Sequence, residues 1–367
     1  MNMELKTWGK LQAMRGLYEL NNLGLLDIID NDVIEKLKIS TDYCDFVDKK
    51  TCELANLNNN YLHVAMAVAG YRELLGWEDE GMSDKFKDAL LSSMQTYSST
   101  GWMDEDPGTG RFDRYSIIIS AEMIDTLEKL GKPIPQFLYD NLKRCTDLCL
   151  DMINKQGHGI SYGHSLSIHG DHAVMEILST AAAHNMLQQK DIDAAIWYSL
   201  QVLKKTNDFW YDHKKKTIDM WYGGRTSNFY RQKVRIIETN FDMLMHLKET
   251  LQNFEKANIA DYTANYEYKE SDKWSVTRHD FDTNESCERM LYILKYKSHT
   301  MQLPIIGGGR YYKLPAYYPL PFENQVLDAM PEYHIPLLEP KLFLQDGKTA
   351  MPLQYFGKTN HIQKDVS

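Results

Sequence analysis

A short glycine-rich stretch at residues 157–172 carries the densest set of side chains able to transfer protons. Four of the twelve histidines lie within fifteen consecutive residues of this stretch. They are His158, His164, His169 and His172. The glycines between them allow tight turns and close approach of the backbone, and the apolar run that follows predicts a buried helix. Reactive side chains on a loop, held by a rigid scaffold, are typical of an active site.

Two other interpretations of this stretch stay open. A polar turn with exposed His158 and His169 would need no function, since most single histidines are structural. A zinc site would use His164, His169 and His172, but their spacing differs from the HExxH pattern and no clear cysteine or carboxylate ligands accompany them. The stretch therefore predicts acid–base chemistry without a metal or another cofactor.

Composition narrows the class of protein and its partners. The chain has 367 residues and a formal net charge of −10, which argues against a nucleic-acid groove and against a basic membrane-binding surface. No stretch reaches the ~18 apolar residues of a membrane span, and the N-terminus lacks a signal-peptide pattern, so the sequence predicts a cytoplasmic protein. The five cysteines form no disulfide framework, and Cys145 and Cys149 lie on the apolar face of a predicted helix. The 23 tyrosines and 7 tryptophans suit sugar stacking or an aromatic core.

Residues 1–260 predict an array of antiparallel helical hairpins. Apolar residues recur at helical spacing in segment after segment, each closed by a cap or a break. The segments are 4–29, 33–37, 62–75, 83–97, 117–130, 136–154, 172–188, 190–207 and 233–253, with a short hairpin at 211–220. The elaborate loops at 58–63, 100–115, 156–171 and 221–231 occur at every second junction. In a ring of such hairpins every second junction lies on the same rim, so we expect these loops to share one face.

The C-terminal part has a different composition. Eight of the eleven prolines lie between Pro304 and Pro352, and the pattern turns to short alternating runs, with Asp346-Gly347 as a hairpin-type turn. We predict a helical catalytic domain at 1–260, a linker at 261–285, and a small, β-sandwich-like antiparallel region at 286–367 that is either packed on the helices or incomplete.

Four motifs in this order resemble those of the toroidal polysaccharide lyases and heparinase II/III-like proteins. They are Asn-Asn-Tyr at 59–61, Gly-Trp-Met-Asp-Glu…Arg-Phe-Asp-Arg-Tyr at 101–115, Ser-Tyr-Gly-His-Ser at 161–165 and Gly-Gly-Arg-Thr…Tyr-Arg at 223–231. The resemblance spans roughly residues 55–350, and its motifs are moderately specific. In those turns Arg often stands where this chain has His164. The resemblance implies an incomplete (α/α) toroid followed by a β-sandwich.

The resemblance also implies a reaction and a set of catalytic residues. Such lyases cleave uronic-acid-containing polysaccharides by β-elimination, in which the substrate carboxylate is neutralised and the C5 proton is removed. Tyr162 would act as base or acid, with His164 and His172 as its partners. Asn59, Asn60 and Arg225 would neutralise the carboxylate. The asparagines could instead serve only as helix caps.

A second group of residues would bind the sugar chain. Aromatic rings would stack on sugars, and charged groups would hold the polymer, although Arg114 could instead pair with Asp113 or Glu105. This substrate-binding group is Tyr61, Trp102, Asp113, Arg114, Tyr222 and Arg231. The expected partner is a polysaccharide or oligosaccharide, and the pattern predicts no particular oligomeric state.

Two alternatives to a lyase remain from the sequence. A toroidal glycoside hydrolase acting on uronate-containing oligosaccharides would need a pair of carboxylates, which the loop at 104–113 could supply through Asp104, Glu105, Asp106 and Asp113. A non-catalytic carbohydrate-binding protein would keep the aromatic rim without the chemistry.

Overall fold

The computed structural model describes most of the helical part and the start of the β region. The described residues are 3–55, 57, 59–96, 100–104, 112–162, 168–220, 236–259, 265–284 and 287–305, with short strands at 318–319, 337–340, 343–345, 348–350 and 353–356. Within them lie α1 (Met3–Asn22), α2 (Asn31–Ser40), α3 (Asn60–Leu74), α4 (Met82–Thr96), α5 (Arg114–Lys129), α6 (Gln136–Met152), α7 (Ile168–Ala183), α8 (Gln189–Lys205) and α9 (Ile236–Lys256). The predicted mainly α class with a small antiparallel β region is confirmed.

Five helices, α1, α3, α5, α7 and α9, form a closed ring in which each contacts the next and α9 contacts α1. Nearly every residue of α3, α5 and α7 is buried, whereas α4, α6 and α8 bury one face each. Helices buried on all sides belong to the interior and amphipathic ones to its cover. Burial therefore places α3, α5 and α7 in the interior, and the contacts place α1 and α9 beside them, each burying one face. Helices α4, α6 and α8 return the chain between the odd-numbered helices.

All five inner helices run in the same direction, because neighbouring helices meet in matching order along their lengths. The contacts are Trp8–Tyr61 and Tyr18–Tyr71, His63–Glu122 and Gly70–Leu130, Arg114–His169 and Asp125–Thr180, His169–Asp242 and Thr180–Asn253, and Gln12–Asp242 and Glu19–Lys248. Their N-terminal ends consequently meet at one end of the ring, which we call the N-terminal rim. The expectation that alternate loops share one face is confirmed for the described parts of the loops that lead into α3, α5 and α7.

The β region begins with a three-stranded antiparallel meander. Two shorter strands of two residues each, β1 (Tyr211–Asp212) and β2 (Thr217–Ile218), pair earlier in the chain, within the helical part. The meander consists of β3 (Ser275–Asn284), β4 (Cys287–Tyr296) and β5 (His299–Ile305), in the order β3-β4-β5 with a bulge between Asp280 and Asp282. Strand β3 starts within the stretch 261–285 that was predicted to be a linker, so the sheet is longer than the sequence pattern indicated.

Short strands follow farther along the chain. They are β6 (Tyr318–Pro319), β7 (Leu337–Pro340), β8 (Phe343–Gln345), β9 (Lys348–Ala350) and β10 (Leu353–Phe356). Strand β7 pairs with β10 and β6, and β8 pairs with β9, placing Gln345 opposite Lys348. This pairing agrees with the hairpin predicted at residues 346–347, which themselves lie outside the described residues.

The β meander packs on the N-terminal rim. The Phe281 ring of β3 is buried between Trp102, which meets it edge-on at a centroid distance of 5.0 Å, and Phe112, which stacks on it at 5.2 Å. On β5, the Gln302 amide donates to the Gly159 carbonyl at 2.7 Å and accepts from the Ser161 N–H at 3.0 Å. The sheet therefore holds two of the rim loops in place.

A search of the helices in the described part of the chain finds none with the length and apolar character of a membrane span.

Candidate active site below the N-terminal rim

The loop that carries the histidines is organised by Asn154, which is buried just after α6. Its side-chain amide donates to the carbonyls of Met152 and His158 at 3.0 and 2.6 Å, and its oxygen accepts from the His158 N–H at 3.0 Å. Gly157 follows with a φ of +68°, a conformation that side chains disfavour. One buried amide and one glycine thus fix the turn into the loop.

Two further glycines bring this loop against the start of α7. A Cβ atom on Gly159 would lie 2.0 Å from the Gly170 carbonyl oxygen, and one on Gly170 would lie 2.1 Å from the Ile160 oxygen. The Ile160 N–H donates to the Gly170 carbonyl at 3.2 Å. The close approach predicted from the glycine content therefore occurs between these two segments, and it buries the histidine loop.

A buried lysine ties the loop to α7 and α8. Lys205 places its Nζ 2.9 Å from the Asp171 carboxylate and 2.6 Å from Nδ1 of His158. The other Asp171 oxygen accepts from the Gly159 N–H at 2.9 Å. Burial, followed by the nearby Lys205 charge, lowers the pKa of His158 well below its usual value. His158 is thus a neutral, structural imidazole, in contrast to the alternative in which it is exposed.

His172 lies on the ring-facing side of α7, next to a π-helical turn at Thr206–Trp210. Its Nε2 is 3.0 Å from the Thr206 hydroxyl, and within the described part of the chain its buried Nδ1 has no hydrogen-bond partner. Burial, with the charges of His246 and Arg114, lowers the pKa of His172 well below its usual value. His172 is therefore a neutral imidazole at neutral pH, and π-turns of this kind are frequent at functional sites.

His246 of α9 faces His172, with ring centroids 6.3 Å apart. Its Nδ1 contacts the Glu176 carboxylate, and its Nε2 lies 3.8 Å from Asp242. Burial alone would lower the pKa of His246, but the two carboxylates raise it well above its usual value. The site therefore pairs a neutral imidazole with one that holds its proton.

Asp242 and Arg114 complete the part of the site nearest the N-terminal rim. The Asp242 carboxylate lies 3.2 Å from Nδ1 of His169 and keeps a side-chain exposure of 15%, so it links the buried groups to solvent. Although burial opposes ionisation, His246 and His169 hold the pKa of Asp242 well below its usual range. Arg114 donates through Nε to the His169 carbonyl at 3.0 Å and has Nη2 3.5 Å from His246. We call Arg114, His169, His172, Glu176, Asp242 and His246 the histidine cluster.

Farther from the rim the ring interior holds strong cations and carboxylates. Lys129 lies 2.5 Å from Glu249. Burial raises the pKa of Glu249, but Lys129 and Arg15 outweigh it and lower the pKa to about 2. The pKa of Asp125 is shifted in the opposite direction, because burial and the charges of Glu249 and Glu176 raise it well above its usual value. We call Arg15, Asp125, Lys129 and Glu249 the lysine cluster.

The ring interior, in the part of the chain that the structure describes, holds more carboxylates than permanent cations. In the described part of the ring interior the carboxylates are Glu122, Asp125, Glu176, Asp242 and Glu249, and the cations are Arg15, Arg114 and Lys129. Two uncompensated buried negative charges would be costly. Bound protons reduce this excess, because the pKa values of Asp125, Glu176 and His246 are all raised.

In the part of the chain that the structure describes, one group of side chains has the spacing of a metal site. Ligand atoms of Glu176, His246 and Glu249 lie within 4.8 Å of one another. However, Glu249 already pairs with Lys129, and Glu176 contacts His246 directly. A cation there would sit beside the lysine and arginine charges, so protons fit this group better than a divalent metal.

The described residues predicted to act on the substrate are all buried. Asn59 donates to Ser93 at 2.9 Å instead of capping α3 through its side chain, and the Asn60 side-chain oxygen has no partner among the described residues. Tyr61 packs on Trp8 at 5.9 Å, and Trp102 packs on the sheet, so both rings belong to the core. Asp113 caps α5 by accepting from the Tyr115 N–H at 3.3 Å.

For Arg114 the sequence offers either a substrate contact or an ion pair with Asp113 or Glu105. In the structure Arg114 donates to the His169 carbonyl and approaches His246, and these contacts place it in the histidine cluster. His172 and Arg114 are thus the predicted residues that the fold brings together at one site, one predicted as catalytic and the other as substrate-binding.

Tyr162, the predicted base, is fully buried in the hydrophobic core. Burial, with the charge of Asp113 and the nearby thiols of Cys149 and Cys145, raises the pKa of its hydroxyl well above its usual value. Among the described residues no group hydrogen-bonds to this hydroxyl. A phenol in such surroundings gives up its proton with difficulty, so this position does not favour it as a base.

His164, Tyr222, Arg225 and Arg231 lie outside the described residues, as do Glu105 and Asp106 of the predicted carboxylate set.

The sequence interpretation missed the acidic and basic residues of the inner helices. Glu122 and Glu176 each interrupt an apolar run, and Asp242, His246 and Glu249 follow one another at helical spacing on α9. A charged residue in the middle of an apolar helix is costly unless it is paired. This mismatch was the signal that could have identified the cluster.

Comparisons of the chain with models of protein families, with curated proteins and with solved structures gave no match.

Proposed function

We propose that this protein is a carbohydrate-active enzyme that cleaves uronic-acid-containing polysaccharide by β-elimination, using the histidine cluster as its acid–base machinery. The observation that supports this most is the pairing of His172 with His246, whose rings lie 6.3 Å apart and whose pKa values are shifted in opposite directions. Neighbouring groups with pKa values pushed apart identify a base and an acid. The choice of a lyase comes from the motif resemblance.

In the proposed reaction the neutral His172 is the base. Its unpartnered Nδ1 takes the proton from C5 of the uronate, and the electron pair of that C–H bond forms the C4–C5 double bond as the C4–O bond breaks. Such a proton is weakly acidic, so charge on the substrate carboxylate must be stabilised. Arg114 is the described cation nearest to the histidine pair and supplies that stabilisation.

The leaving oxygen receives its proton from His246. This imidazole holds a proton because Glu176 and Asp242 flank it, and Asp242 connects it to solvent for reprotonation. His169 holds the Asp242 carboxylate in place at 3.2 Å. The roles of base and acid thus fall on two different side chains, and Tyr162 takes part in neither step.

Glycoside hydrolysis is the second candidate, and one observation favours it. Asp242 has a lowered pKa and Glu176 a raised one, and both contact His246. One ionised and one protonated carboxyl group are the pair that hydrolysis of a glycosidic bond requires. The sequence-predicted pair on the loop at 104–113 is less suitable, since Asp113 is engaged as a helix cap.

The test measures two products on a panel of unsulfated and sulfated uronate polysaccharides. Elimination produces both a new reducing end and the ultraviolet absorbance of a conjugated double bond, whereas hydrolysis produces reducing ends alone. We expect both signals from the wild type and a ~10²–10⁴-fold smaller kcat from His172→Gln. His213→Gln, at an exposed histidine outside the site, is the matched control and should keep wild-type activity. A wild type that produces neither signal on any polymer contradicts the proposal.

A further inference from the structure

An open groove lies on the outside of the ring, away from the histidine cluster. It has a volume of about 690 Å³ and runs between the end of α6, the start of α8, the segment 265–269 and strand β4. Ligand sites for small molecules and short oligomers commonly have volumes in this range. No step of the proposed reaction uses it.

Aromatic rings form one side of the groove, and they are held rigidly. Tyr266 and Tyr268 line it. Behind them Trp197 of α8 stacks on Tyr268 at a centroid distance of 5.9 Å and an interplanar angle of 16°, and meets Tyr266 at 5.1 Å. Rings fixed in this way lose little freedom when a sugar packs against them, so they suit carbohydrate stacking.

The polar groups of the groove are of mixed charge. Its carboxylates are Asp151, Asp191, Asp193 and Glu267, and its cations are Lys190, Lys269 and Lys295. This near balance disfavours a densely anionic polymer such as nucleic acid or a highly sulfated glycan. It suits a hydroxyl-rich ligand, since hydroxyls donate to carboxylates and accept from ammonium groups.

Lys295, near the end of the central strand β4, is the most buried of these cations. It donates to the Ile153 carbonyl at 3.1 Å, and burial lowers the pKa of its ammonium group. It is placed to bind the occasional carboxylate of a uronate, because ion pairing would offset the cost of its desolvation.

The groove begins close to the histidine loop. Its wall at Leu150–Ile153 continues along the chain through Asn154 into the loop at 157–162, which leads to α7 and the histidine cluster. A polymer whose reacting sugar lies at the rim could therefore extend into the groove.

We infer that this groove is a carbohydrate subsite that binds several sugar units of the polymer remote from the reacting bond. The inference rests on the proposed function for the identity of the ligand, but its test is a binding measurement. Tyr268 is the stacking platform, Asp191 and Asp193 bind hydroxyls, and Lys295 binds a uronate carboxylate.

The experiment is isothermal titration calorimetry on the full chain carrying His172→Gln, so that cleavage does not interfere. The probes are hexasaccharides and disaccharides of galacturonic acid, mannuronic acid and hyaluronan. We expect Tyr268→Ala to weaken hexasaccharide binding about tenfold while leaving disaccharide binding unchanged. Lys269→Ala, at an exposed position, should weaken it less and cannot disturb the core. Trp274→Ala removes an exposed aromatic residue that stacks on Tyr296 outside the groove, and it should bind as the parent does.

The outcomes separate this inference from the proposed function. One outcome is that the wild type cleaves the polymer while the parent, Tyr268→Ala and Lys269→Ala bind the hexasaccharide equally. This result contradicts the subsite but is consistent with the proposed enzyme activity. Hexasaccharide binding that depends on Tyr268, without cleavage by the wild type, supports the subsite and overturns the enzyme. Absence of binding to every hexasaccharide overturns the subsite.

Discussion

The histidine cluster and the lysine cluster occupy the same ring of helices, yet they solve the problem of buried charge differently. In the lysine cluster Lys129 and Arg15 are permanently charged and keep Glu249 ionised. In the histidine cluster the partners of Asp242 and Glu176 are imidazoles. An imidazole can gain or lose its proton near neutral pH, whereas a lysine or arginine paired with a carboxylate cannot.

This difference indicates a division of labour along the ring. Ion pairs with fixed charges hold helices α1, α5 and α9 together, and their removal should affect folding. Histidine–carboxylate pairs can pass protons, and they lie at the end of the ring where the loops meet and where Asp242 reaches solvent. Changes in the histidine cluster should therefore affect activity more than stability, and changes in the lysine cluster should do the reverse.

The largest effect is expected from His172→Gln. Its side chain can still bond to Thr206 but cannot accept a proton as a base, so kcat should fall ~10²–10⁴-fold with KM nearly unchanged. Steady-state kinetics on the polymer that the wild type cleaves measures this.

His63→Gln is the matched control for that variant. His63 is also fully buried, but it contacts Glu122 at 3.3 Å and Thr126 at 3.4 Å instead of His246. Its variant should unfold at a lower urea concentration and keep its kcat within a few fold. Equal kcat losses in the two variants would mean that His172 has no catalytic role beyond that of any buried histidine.

The next largest effect is a loss of stability in Lys129→Met. Glu249 then keeps the charges of Arg15 and His246 but loses its hydrogen-bonded partner. Breaking a buried pair from one side costs about 3 kcal/mol. Urea unfolding followed by circular dichroism measures this loss. Lys248→Met, which breaks the partly exposed pair with Glu19, is the matched control and should cost no more than ~1 kcal/mol.

The stability loss in Lys129→Met should depend on pH in a known direction. The pKa of Glu249 is lowered from 4.5 to about 2, so its stabilising contribution is present above pH 4.5 and is lost as the pH falls toward 2. The difference between wild type and variant should shrink over that window. A difference that stays constant down to pH 2 would show that Lys129 acts through packing alone.

Asp125→Asn should produce a smaller effect of opposite sign. The pKa of Asp125 is raised, so the stability it contributes is complete below its unfolded pKa and is lost as the pH rises through its folded pKa. Asparagine stays neutral at every pH. The melting temperature of the variant should therefore rise relative to that of the wild type between pH 5 and pH 9. A constant offset between the two melting curves would mean that Asp125 is ionised throughout.

The sequence could predict the frame of this molecule because helical periodicity reflects burial on a local scale. The stretch at 136–154 was identified from one apolar face and matches α6 (Gln136–Met152) closely. The strand β3 was missed, since Ser275–Asn284 consists mostly of polar residues and only Phe281 is fully buried in its described part. Periodicity is weak where a strand packs through a single ring.

The site was harder to predict because it is made by contacts between distant helices. The sequence marks His172 through its neighbours along the chain, but its chemistry depends on His246, 74 positions later on α9. Loop position suggested that Tyr162 faced a cleft, but close packing between Gly159 and Gly170 buries that loop. A local sequence pattern predicts neither the ring closure between α9 and α1 nor its effect on pKa values.

The smallest effect is expected from Tyr162→Phe, which tests whether the site is confined to the histidine cluster. The Tyr162 hydroxyl is fully buried, and among the described residues it has no hydrogen-bond partner. Removing an unsatisfied buried hydroxyl while keeping the ring should leave stability unchanged or raise it by up to ~1 kcal/mol. Because the raised pKa makes this phenol a poor base, kcat should stay within about twofold of the wild type. A loss of ~10²-fold or more in a folded variant would instead show that Tyr162 takes part in the mechanism.

Tyr198→Phe is the matched control, since that equally buried tyrosine donates to the Asp171 carbonyl at 3.3 Å. Its variant should lose about 1 kcal/mol instead, and equal unfolding free energies for the two variants would contradict the assignment of an unpartnered hydroxyl to Tyr162.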